Sequence, residues 1–297
     1  MPKKYCDLHI HTSYSDGWAS PAEVLAIAKK AGISAISITD HNTVKGAKKA
    51  QKKAKEFGIE VLSGIEIDTT YKGFDFHILG YGMDLKNKKF NQMLEKIREE
   101  RKVREIEMAR KMKELGFAIN LKKIENKALI AVLSKYHIAW LLMKTPRNRA
   151  RVYQEVGLYP TIHDIIAYYL QRGRPAYVPK KILKPEKIIK LIKRAGGIPV
   201  LAHPGLIHPD WKINYRSDKI LRELVKLGIR GFEVYSPKNT PSERKHYKLL
   251  AKKLKILITG GSDFHGGIFE GVWPSEISER EFKAPYRVYE ELVKALK

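Results

Sequence analysis

Short apolar segments that alternate with amphipathic helical segments constrain the fold of this 297-residue chain more than any other feature. The segments AISITDH, EVLSGIEID, IPVLAHP and ILITGG read as strands, and helical patterns lie between most of them. This alternation is typical of βα units with parallel strands. Because an α/β barrel accommodates a chain of this length as one domain, the sequence predicts a single barrel with an insertion.

Two capping boxes mark predicted helix starts. Ser20 precedes Pro21 and is followed three positions later by Glu23, and Thr240 and Glu243 repeat the spacing. Further helices are predicted at roughly 87–115, 185–195 and 219–227. Roughly residues 98–184 break the strand–helix rhythm with helical sequence rich in Arg and Tyr. We interpret 98–184 as a mostly helical inserted subdomain that caps the substrate, and 1–97 with 185–297 as the barrel.

The composition favours anionic partners. The formal net charge is +25, which raises the local concentration of phosphorylated or polyanionic molecules. The alternative is that the Lys-rich helix faces are solvated surface, as in proteins of thermophiles. Apolar runs are shorter than the roughly 18 to 20 residues of a membrane span, and the N-terminal segment has no signal-peptide pattern. With a single cysteine, the chain is expected to be soluble and cytoplasmic, without disulfides.

Six of the ten histidines lie beside acidic residues or glycine, in segments that end predicted strands. His9 and His11 point to one face of a strand because its side-chain period is two, so both can bind one ion. An H-x-H pair alone is weak evidence, since such pairs are often structural. The accumulation of ionisable residues at strand ends favours a metal cluster, because burying them without partners costs several kcal/mol each.

Three other residues are not assigned as ligands. Asp40 is expected either to orient the neighbouring His41 or simply to end a strand. His208 and His246 lie in patterns of loop and helix surface, and we place neither in the site.

Together the segments HIHTSYSDG, TDH, GIE, HILGYG, AHPG and SDFHG make the chain resemble the PHP (polymerase and histidinol phosphatase) superfamily of metal-dependent phosphoesterases. The resemblance implies an α/β fold, a distorted (β/α)7 TIM-like barrel, and a site for two to three divalent ions, Mn, Fe or Zn. It implies one ion on His9, His11, Glu66 and Asp263, a second on Glu66, His77 and His203, and a third on Asp16, His41 and His265. Water held by the first set would act as the attacking hydroxide on the phosphate.

The order of barrel, insertion and AHPG segment is similar to the branch that hydrolyses nucleoside 3′,5′-bisphosphates and trims short RNA from the 5′ end. That branch shows R-x-x-R early in the insertion, present here as Arg101 and Arg104. It also shows an Arg-Pro-His-Ile-Ala segment, which is Lys135 to Ala139 here, with His137 retained. Lysine offers a point charge where arginine grips a phosphate with two parallel hydrogen bonds, so substrate affinity or identity can differ.

The predicted partner is therefore a small phosphorylated nucleotide, with short single-stranded RNA or DNA as a further substrate. Three alternatives stay open. Histidinol-phosphate phosphatases share the metal motifs, although their cationic substrate fits the basic insertion less well. A DNA exonuclease would need a long basic groove, and a non-catalytic nucleic-acid-binding PHP domain would tolerate loss of metal residues. For Arg101 and Arg104 the alternative is an exposed helix face that pairs with glutamates.

Overall fold

The computed structural model describes residues 4–125, 133–179, 183–207, 215–266 and 284–297. These residues form two compact units, one made of 4–94, 183–266 and 284–297 and the other of 95–125 and 133–179. The first unit is built around a sheet and the second is helical. In the described part of the chain, no helix is both long and apolar enough to cross a membrane.

Eight strands of the first unit form one sheet in the order β7-β6-β5-β4-β3-β2-β1-β8. They are β1 Tyr5–Ile10, β2 Ile33–Ile38, β3 Glu60–Tyr71, β4 Phe74–Tyr81, β5 Ile198–Leu201, β6 Gly231–Tyr235, β7 Leu257–Gly260 and β8 Ala284–Pro285. The segment after β7 pairs with the end of β1, where the nitrogen of His11 donates to the carbonyl of Phe264 at 2.8 Å. The sheet therefore closes into the barrel predicted from the sequence.

Two strands depart from the predicted parallel pattern, the short β8, which pairs antiparallel with β1, and β4. β4 runs antiparallel to both β3 and β5, whereas β1, β2 and β3 are parallel, as are β5, β6 and β7. The cause is the turn at Lys72 and Gly73, which both have positive φ and join β3 to β4 as a two-residue hairpin. A parallel connection needs a crossover of a dozen or more residues, for which this turn has no room.

The helices begin and end close to the predicted positions. They are α1 Pro21–Lys30, α2 Lys45–Phe57, α3 Lys88–Glu114, α4 Leu121–Glu125, α5 Lys135–Lys144, α6 Pro146–Val156, α7 Ile162–Ile165, α8 Pro185–Arg194, α9 Tyr215–Leu227, α10 Pro241–Leu254 and α11 Arg287–Ala295. Both capping boxes are confirmed, because the side chains of Ser20 and Thr240 accept from the backbone nitrogens of Glu23 and Glu243. α4 to α7 belong to the second unit.

Each unit has its own apolar core. In the first unit the core joins the inner strands to α11, through buried residues such as Leu8, Leu79 and Leu292. In the second unit Met108, Phe117 and other apolar residues of α3 to α7 pack together. Burial of a side chain of this size contributes roughly 1.5 to 3 kcal/mol, so each unit has its own source of stability.

Candidate metal centre

β1 brings the first two predicted ligands to one side of the sheet. His9 and His11 are fully buried, and their Nε2 atoms lie 3.1 Å apart. They share a face because side chains two positions apart in a strand point the same way. Gly261 leaves room for them, since a Cβ atom at that position would lie only 2.1 Å from Cβ of His9. A larger residue at 261 would push the histidine away.

Glu66, in the middle of β3, contacts more histidines than any other carboxylate of the described residues. It is 1% exposed, and its Oε1 atom lies 2.8 Å from Nδ1 of His77. Four more imidazoles place Nε2 within 3.2 to 3.4 Å of its two oxygens, those of His9, His11, His41 and His203. Five imidazoles around one carboxylate suit a ligand that bridges ions.

Asp16 organises a second part of the site. Its Oδ1 atom lies 3.4 Å from Nδ1 of His11 and 3.6 Å from Nε2 of His265, and its Oδ2 atom lies 3.7 Å from Nε2 of His41. The imidazole rings of His11 and His265 are stacked with their centroids 4.2 Å apart. The turn after β1 therefore carries its aspartate back to the histidines that follow β2 and β7.

Asp263, in the segment after β7, contacts both His9 and His11. Its Oδ1 atom lies 3.3 Å from Nε2 of both His9 and His11. The backbone of Asp263 has a φ of +57°, a left-handed conformation that non-glycine residues rarely adopt. Its nitrogen donates to the carbonyl of His9 at 2.9 Å, and this bond holds the unusual conformation in place.

These side chains form three groups in which all ligand atoms of a group lie within 4.8 Å of one another. The groups are His9, His11, Glu66 and Asp263; His11, Asp16, His41 and His265; and His41, Glu66 and His77. The first coincides with a set implied by the resemblance. Among the described residues, the third group takes His41 where the resemblance implied His203. The rings of His77 and His203 nevertheless lie edge to face, with centroids 5.2 Å apart.

The donors fit divalent first-row ions. Imidazole nitrogen and carboxylate oxygen are the ligand types that Zn, Fe and Mn accept in proteins. Ligand histidines normally use one nitrogen for the ion and the other for a hydrogen bond to an oxygen. His9 has this arrangement, with Nδ1 2.9 Å from Glu233 Oε1, and His265 has Nδ1 2.8 Å from the carbonyl of Asp263. The side chains are thus oriented as ligands.

The electrostatics of the cluster stabilise charge. Burial alone would raise the pKa of Glu66, but His77, His41 and His9 hold it well below the usual range. Burial would lower the pKa of His77, yet the carboxylates of Glu66 and Asp68 raise it to about 10. Without a metal ion, the proton on His77 supplies positive charge of the kind that a cation would supply.

Sequence reasoning missed two acidic residues that contact predicted ligands. Asp68 Oδ1 lies 3.0 Å from Nε2 of His77, directly across the β3–β4 pair. Glu233, fully buried in β6, contacts His9. The signal for Asp68 was its position two residues after Glu66 in a strand, on the same face. An acidic residue inside the apolar segment GFEVY was the signal for Glu233.

Asp40 lies just after the end of β2, in line with one of the two roles expected from the sequence, and its carboxylate also makes contacts that the sequence did not predict. Its side chain bonds to the loop after β1, where it accepts from the backbone nitrogen of Thr12 at 2.7 Å and from the hydroxyl of Ser15 at 2.7 Å. Burial raises the pKa of Asp40 to about 6 despite these bonds. Asp40 therefore orders the segment between His11 and Asp16.

The predicted substrate residues all lie in the second unit. Arg104 is 8% exposed; its Nε donates to the carbonyl of Val178 at 2.8 Å and its Nη1 pairs with Glu105 at 2.7 Å. Of the alternative interpretation, the exposed helix face is wrong for Arg104, but the pairing with a glutamate is present. Arg101 and Lys135 are half-buried. His137 Nδ1 lies 2.8 Å from the hydroxyl of Ser134, which caps α5.

Two histidines were expected to lie outside the site. His246 pairs with Asp218 at 2.7 Å on α9 and α10, and both side chains are about one-third exposed. His208 lies outside the described residues.

Comparison with known proteins matches the sequence of this chain to a family. The model of the PHP domain matches residues 7–254. A 5′-3′ exoribonuclease from Haemophilus influenzae is 29% identical over 268 residues, which are 89% of this chain and 91% of the relative. A 3′,5′-nucleoside bisphosphate phosphatase from Chromobacterium violaceum is 27% identical over 263 residues, 87% of this chain and 86% of the relative.

A solved structure shares the fold. A protein from Bifidobacterium adolescentis, described as a metal-dependent phosphoesterase, superposes with a TM-score of 0.79 at 25% sequence identity. The match covers 99% of this chain and 96% of that chain. Both the closed sheet and the helical unit therefore have counterparts in a known structure.

Proposed function

The chain belongs to the PHP domain family, and from this premise we propose that it hydrolyses phosphomonoesters of small nucleotides of the nucleoside 3′,5′-bisphosphate type. It is a metal-dependent phosphoesterase, and trimming of short oligonucleotides from the 5′ end is a second activity of the same site. The relatives with these activities align over most of this chain.

One observation supports the proposal above all others. The nine histidine and carboxylate side chains that the family resemblance singles out converge from six separate segments of the chain on the end of one barrel. Barrel enzymes keep their chemistry at the carboxyl ends of the strands. A structural role would not require so many ionisable groups in one buried place, where each unpaired charge costs several kcal/mol.

The ions that these residues would hold, two to three of Mn, Fe or Zn, would lower the pKa of a water molecule and neutralise charge on the phosphate oxygens. The protein supplies the rest. Glu66 keeps its negative charge among five imidazoles, and the hydrogen bonds to His9 and His265 fix the orientation of those rings. Rigid ligands need no reorganisation when charge develops on the phosphate.

We assign recognition of the nucleotide to the helical unit. Arg104 is buried beside the ring of Tyr177, whose centroid lies 5.9 Å from the guanidinium carbon, and Nη2 of Arg104 has no hydrogen-bond partner among the described residues. A buried guanidinium donor of this kind is suited to a phosphate oxygen. The ammonium of Lys135 lies 6.0 Å from the same ring, which places a second cation close by.

The remaining parts of the proposal concern the setting. A single cysteine, buried as a free thiol, supports a cytoplasmic location, because disulfides are rare there. The net charge of +25 supports an anionic substrate such as a nucleotide or short RNA.

The test is phosphate release by Mn-loaded protein from adenosine 3′,5′-bisphosphate and from histidinol phosphate, compared with release of nucleoside monophosphates from 5′-phosphorylated RNA and DNA trimers, separated by chromatography. We expect the highest kcat/KM for the bisphosphate, with slower turnover of the RNA. Glu66→Ala should reduce turnover to the enzyme-free background while the protein stays folded, because the variant removes the carboxylate that five imidazoles share.

His246→Ala is the matched control, since it removes a histidine of the same unit that belongs to none of the ligand groups among the described residues and pairs with Asp218 at 2.7 Å. It should leave kcat/KM unchanged. Preference for histidinol phosphate would contradict the nucleotide substrate and favour the alternative phosphatase. Full activity of Glu66→Ala would contradict the metal-dependent site itself.

A further inference from the structure

Glu233 is a buried carboxylate that belongs to none of the ligand groups among the described residues. It lies in β6, where its neighbours Phe232 and Val234 are buried apolar residues, and its side chain is 0% exposed. A carboxylate in such a place is expensive unless strong hydrogen bonds satisfy both oxygens. Its partners therefore indicate what it does.

The two oxygens of Glu233 accept from two different predicted ligands. Oε1 lies 2.9 Å from Nδ1 of His9, and Oε2 accepts from the backbone nitrogen of His203 at 2.8 Å. His9 comes from β1 and His203 from the segment after β5. One side chain of β6 thus joins β1 to the segment after β5, and the rings of these histidines are stacked with centroids 5.7 Å apart.

The contact to His9 selects a tautomer. If Nδ1 carries the proton that Glu233 accepts, Nε2 is left with a free lone pair. Nε2 is the atom that faces Glu66 at 3.4 Å and Asp263 at 3.3 Å. Glu233 therefore directs the ligand atom of His9 into the carboxylate cluster.

The contact to His203 holds a strained backbone. His203 has a φ of +23°, outside the regions that non-glycine residues favour. Next to it, Asn239 donates to the carbonyl of Glu233 at 2.9 Å and accepts from the nitrogen of Gly205 at 3.0 Å. The buried side chains of Glu233 and Asn239 hold the backbone of residues 203–205 by these hydrogen bonds. A strained backbone conformation persists only where the surrounding contacts enforce it.

We propose that Glu233 is a positioning residue that holds His9 and His203 in metal-binding geometry at the same time, so that two ion positions depend on one carboxylate. The inference rests on the metal site of the proposed function. It adds that occupancy by metal, and not only turnover, requires a residue outside the ligand set.

Glutamine is the sharpest substitution because it keeps the shape but has one acceptor instead of two. If its oxygen accepts from the nitrogen of His203, its amide donates to Nδ1 of His9 and forces the proton onto Nε2, the ligand atom. If its oxygen accepts from His9, its amide meets the backbone N–H of His203, and two donors face each other. In either orientation one ligand is lost.

The experiment measures metal content and affinity. Wild-type, Glu233→Gln and Glu233→Asp proteins are loaded with Mn²⁺ or Zn²⁺, passed through metal-free buffer and analysed for ions per chain by mass spectrometry. A chelator titration then gives the apparent Kd. We expect Glu233→Gln to retain its circular dichroism spectrum and to bind the ions about 10- to 100-fold more weakly. Glu233→Asp, one methylene shorter, should lose at least one of the two contacts.

Glu223→Gln is the matched control, because Glu223 makes an exposed pair with Lys72 in the same unit. It should retain the wild-type ion content. Equal content and Kd in wild-type and folded Glu233→Gln protein would overturn the proposal. If Glu233→Gln fails to fold, ¹⁵N-histidine spectra of wild-type Zn-loaded protein decide, since a proton on Nε2 of His9 would overturn it and a proton on Nδ1 would support it.

Turnover is measured separately on the same samples. If metal-loaded wild-type protein hydrolyses none of the nucleotides, the proposed substrate is overturned. The positioning role of Glu233 is tested independently, by the number of ions bound per chain in Glu233→Gln.

Discussion

Oδ1 of Asp40 accepts a hydrogen bond from the backbone nitrogen of Thr12 at 2.7 Å and so ties the end of β2 to the turn after β1. Oδ2 accepts from the hydroxyl of Thr12 at 2.8 Å, and Oδ1 also accepts from Ser15 at 2.7 Å. The turn between these two residues leads from His11 to Asp16. Asp40 thus sets the path by which Asp16 reaches the site.

Asp40→Asn should therefore weaken metal binding at the group that contains Asp16. The amide nitrogen of asparagine cannot accept, so at least one of the three bonds is lost and the turn loosens. We expect the apparent Kd for one ion to rise about tenfold, with smaller changes for ions bound through Glu66. Chelator titration measures the change, and Asp218→Asn, in the partly exposed pair with His246, is the control. Unchanged binding in Asp40→Asn would contradict this role.

Gly46, in the first turn of α2, leaves the space that the Asp40 carboxylate occupies. A Cβ atom at position 46 would lie 2.0 Å from Oδ2 of Asp40 and 2.7 Å from the hydroxyl of Thr12. Gly46→Ala should lower the free energy of unfolding by about 1 to 3 kcal/mol, because overpacking outweighs the roughly 1 kcal/mol that alanine gains in a helix. Urea denaturation measures the difference.

A double-mutant cycle tests the cause. In an Asp40→Ala background most of the clash is removed, so Gly46→Ala should cost less there than in the wild-type background. An equal cost in both backgrounds would contradict a steric conflict with Asp40.

Metal binding should release protons. In the metal-free site, burial lowers the pKa of His77 but Glu66 and Asp68 outweigh it and raise the pKa from 6.5 to about 10. His77 is therefore protonated at pH 7, and an ion can bind its ring only after displacing that proton. We expect at least one proton released per chain at pH 7, with affinity that increases as the pH rises. Calorimetry in two buffers of different ionisation enthalpy counts the protons.

The stability of the metal-free protein should change with pH in the opposite direction to its metal affinity. A histidine whose pKa is raised on folding contributes stability that is complete below about 6.5 and is lost as the pH rises toward 10. Metal-free protein should accordingly lose stability over this interval. Release of no proton, or metal affinity that is independent of pH, would contradict the charge state that we assign to His77.

Local geometry made part of the site predictable from the sequence. The period of two in a strand places His9 beside His11, and the capping spacing of Ser20 and Glu23 locates the helix that follows. These inferences need only neighbours in the chain. The family motifs added the distant residues, such as Asp263, that no local rule connects to β1.

The rest depends on contacts that no local pattern encodes. The antiparallel direction of β4 depends on the two-residue turn at Lys72 and Gly73. The sequence predicts a parallel strand there because strands and helices alternate along most of the barrel. Glu233 reads as one acidic residue in an apolar strand, and only the closed sheet brings it to His9 across 224 positions of sequence. Asp40 stood in a recognised motif, but its partners Thr12 and Ser15 became apparent only from the folded chain.

Arg104 gives the prediction that tests the helical unit. Its guanidinium donates Nε to Val178 and pairs Nη1 with Glu105, which leaves the buried Nη2 atom for a phosphate oxygen. Arg104→Lys keeps the charge but loses the planar set of donors, so KM for adenosine 3′,5′-bisphosphate should rise about tenfold, which corresponds to about 1.4 kcal/mol.

The split between KM and kcat decides what Arg104 does. If the arginine binds ground state and transition state equally, kcat of Arg104→Lys should change little while KM rises. Steady-state phosphate release measures both, and Lys144→Arg, at the end of α5 where the ammonium lies over Trp140, is the charge-conserving control. An unchanged KM in folded Arg104→Lys would contradict nucleotide binding by this residue, because removal of a direct phosphate donor cannot leave substrate affinity intact.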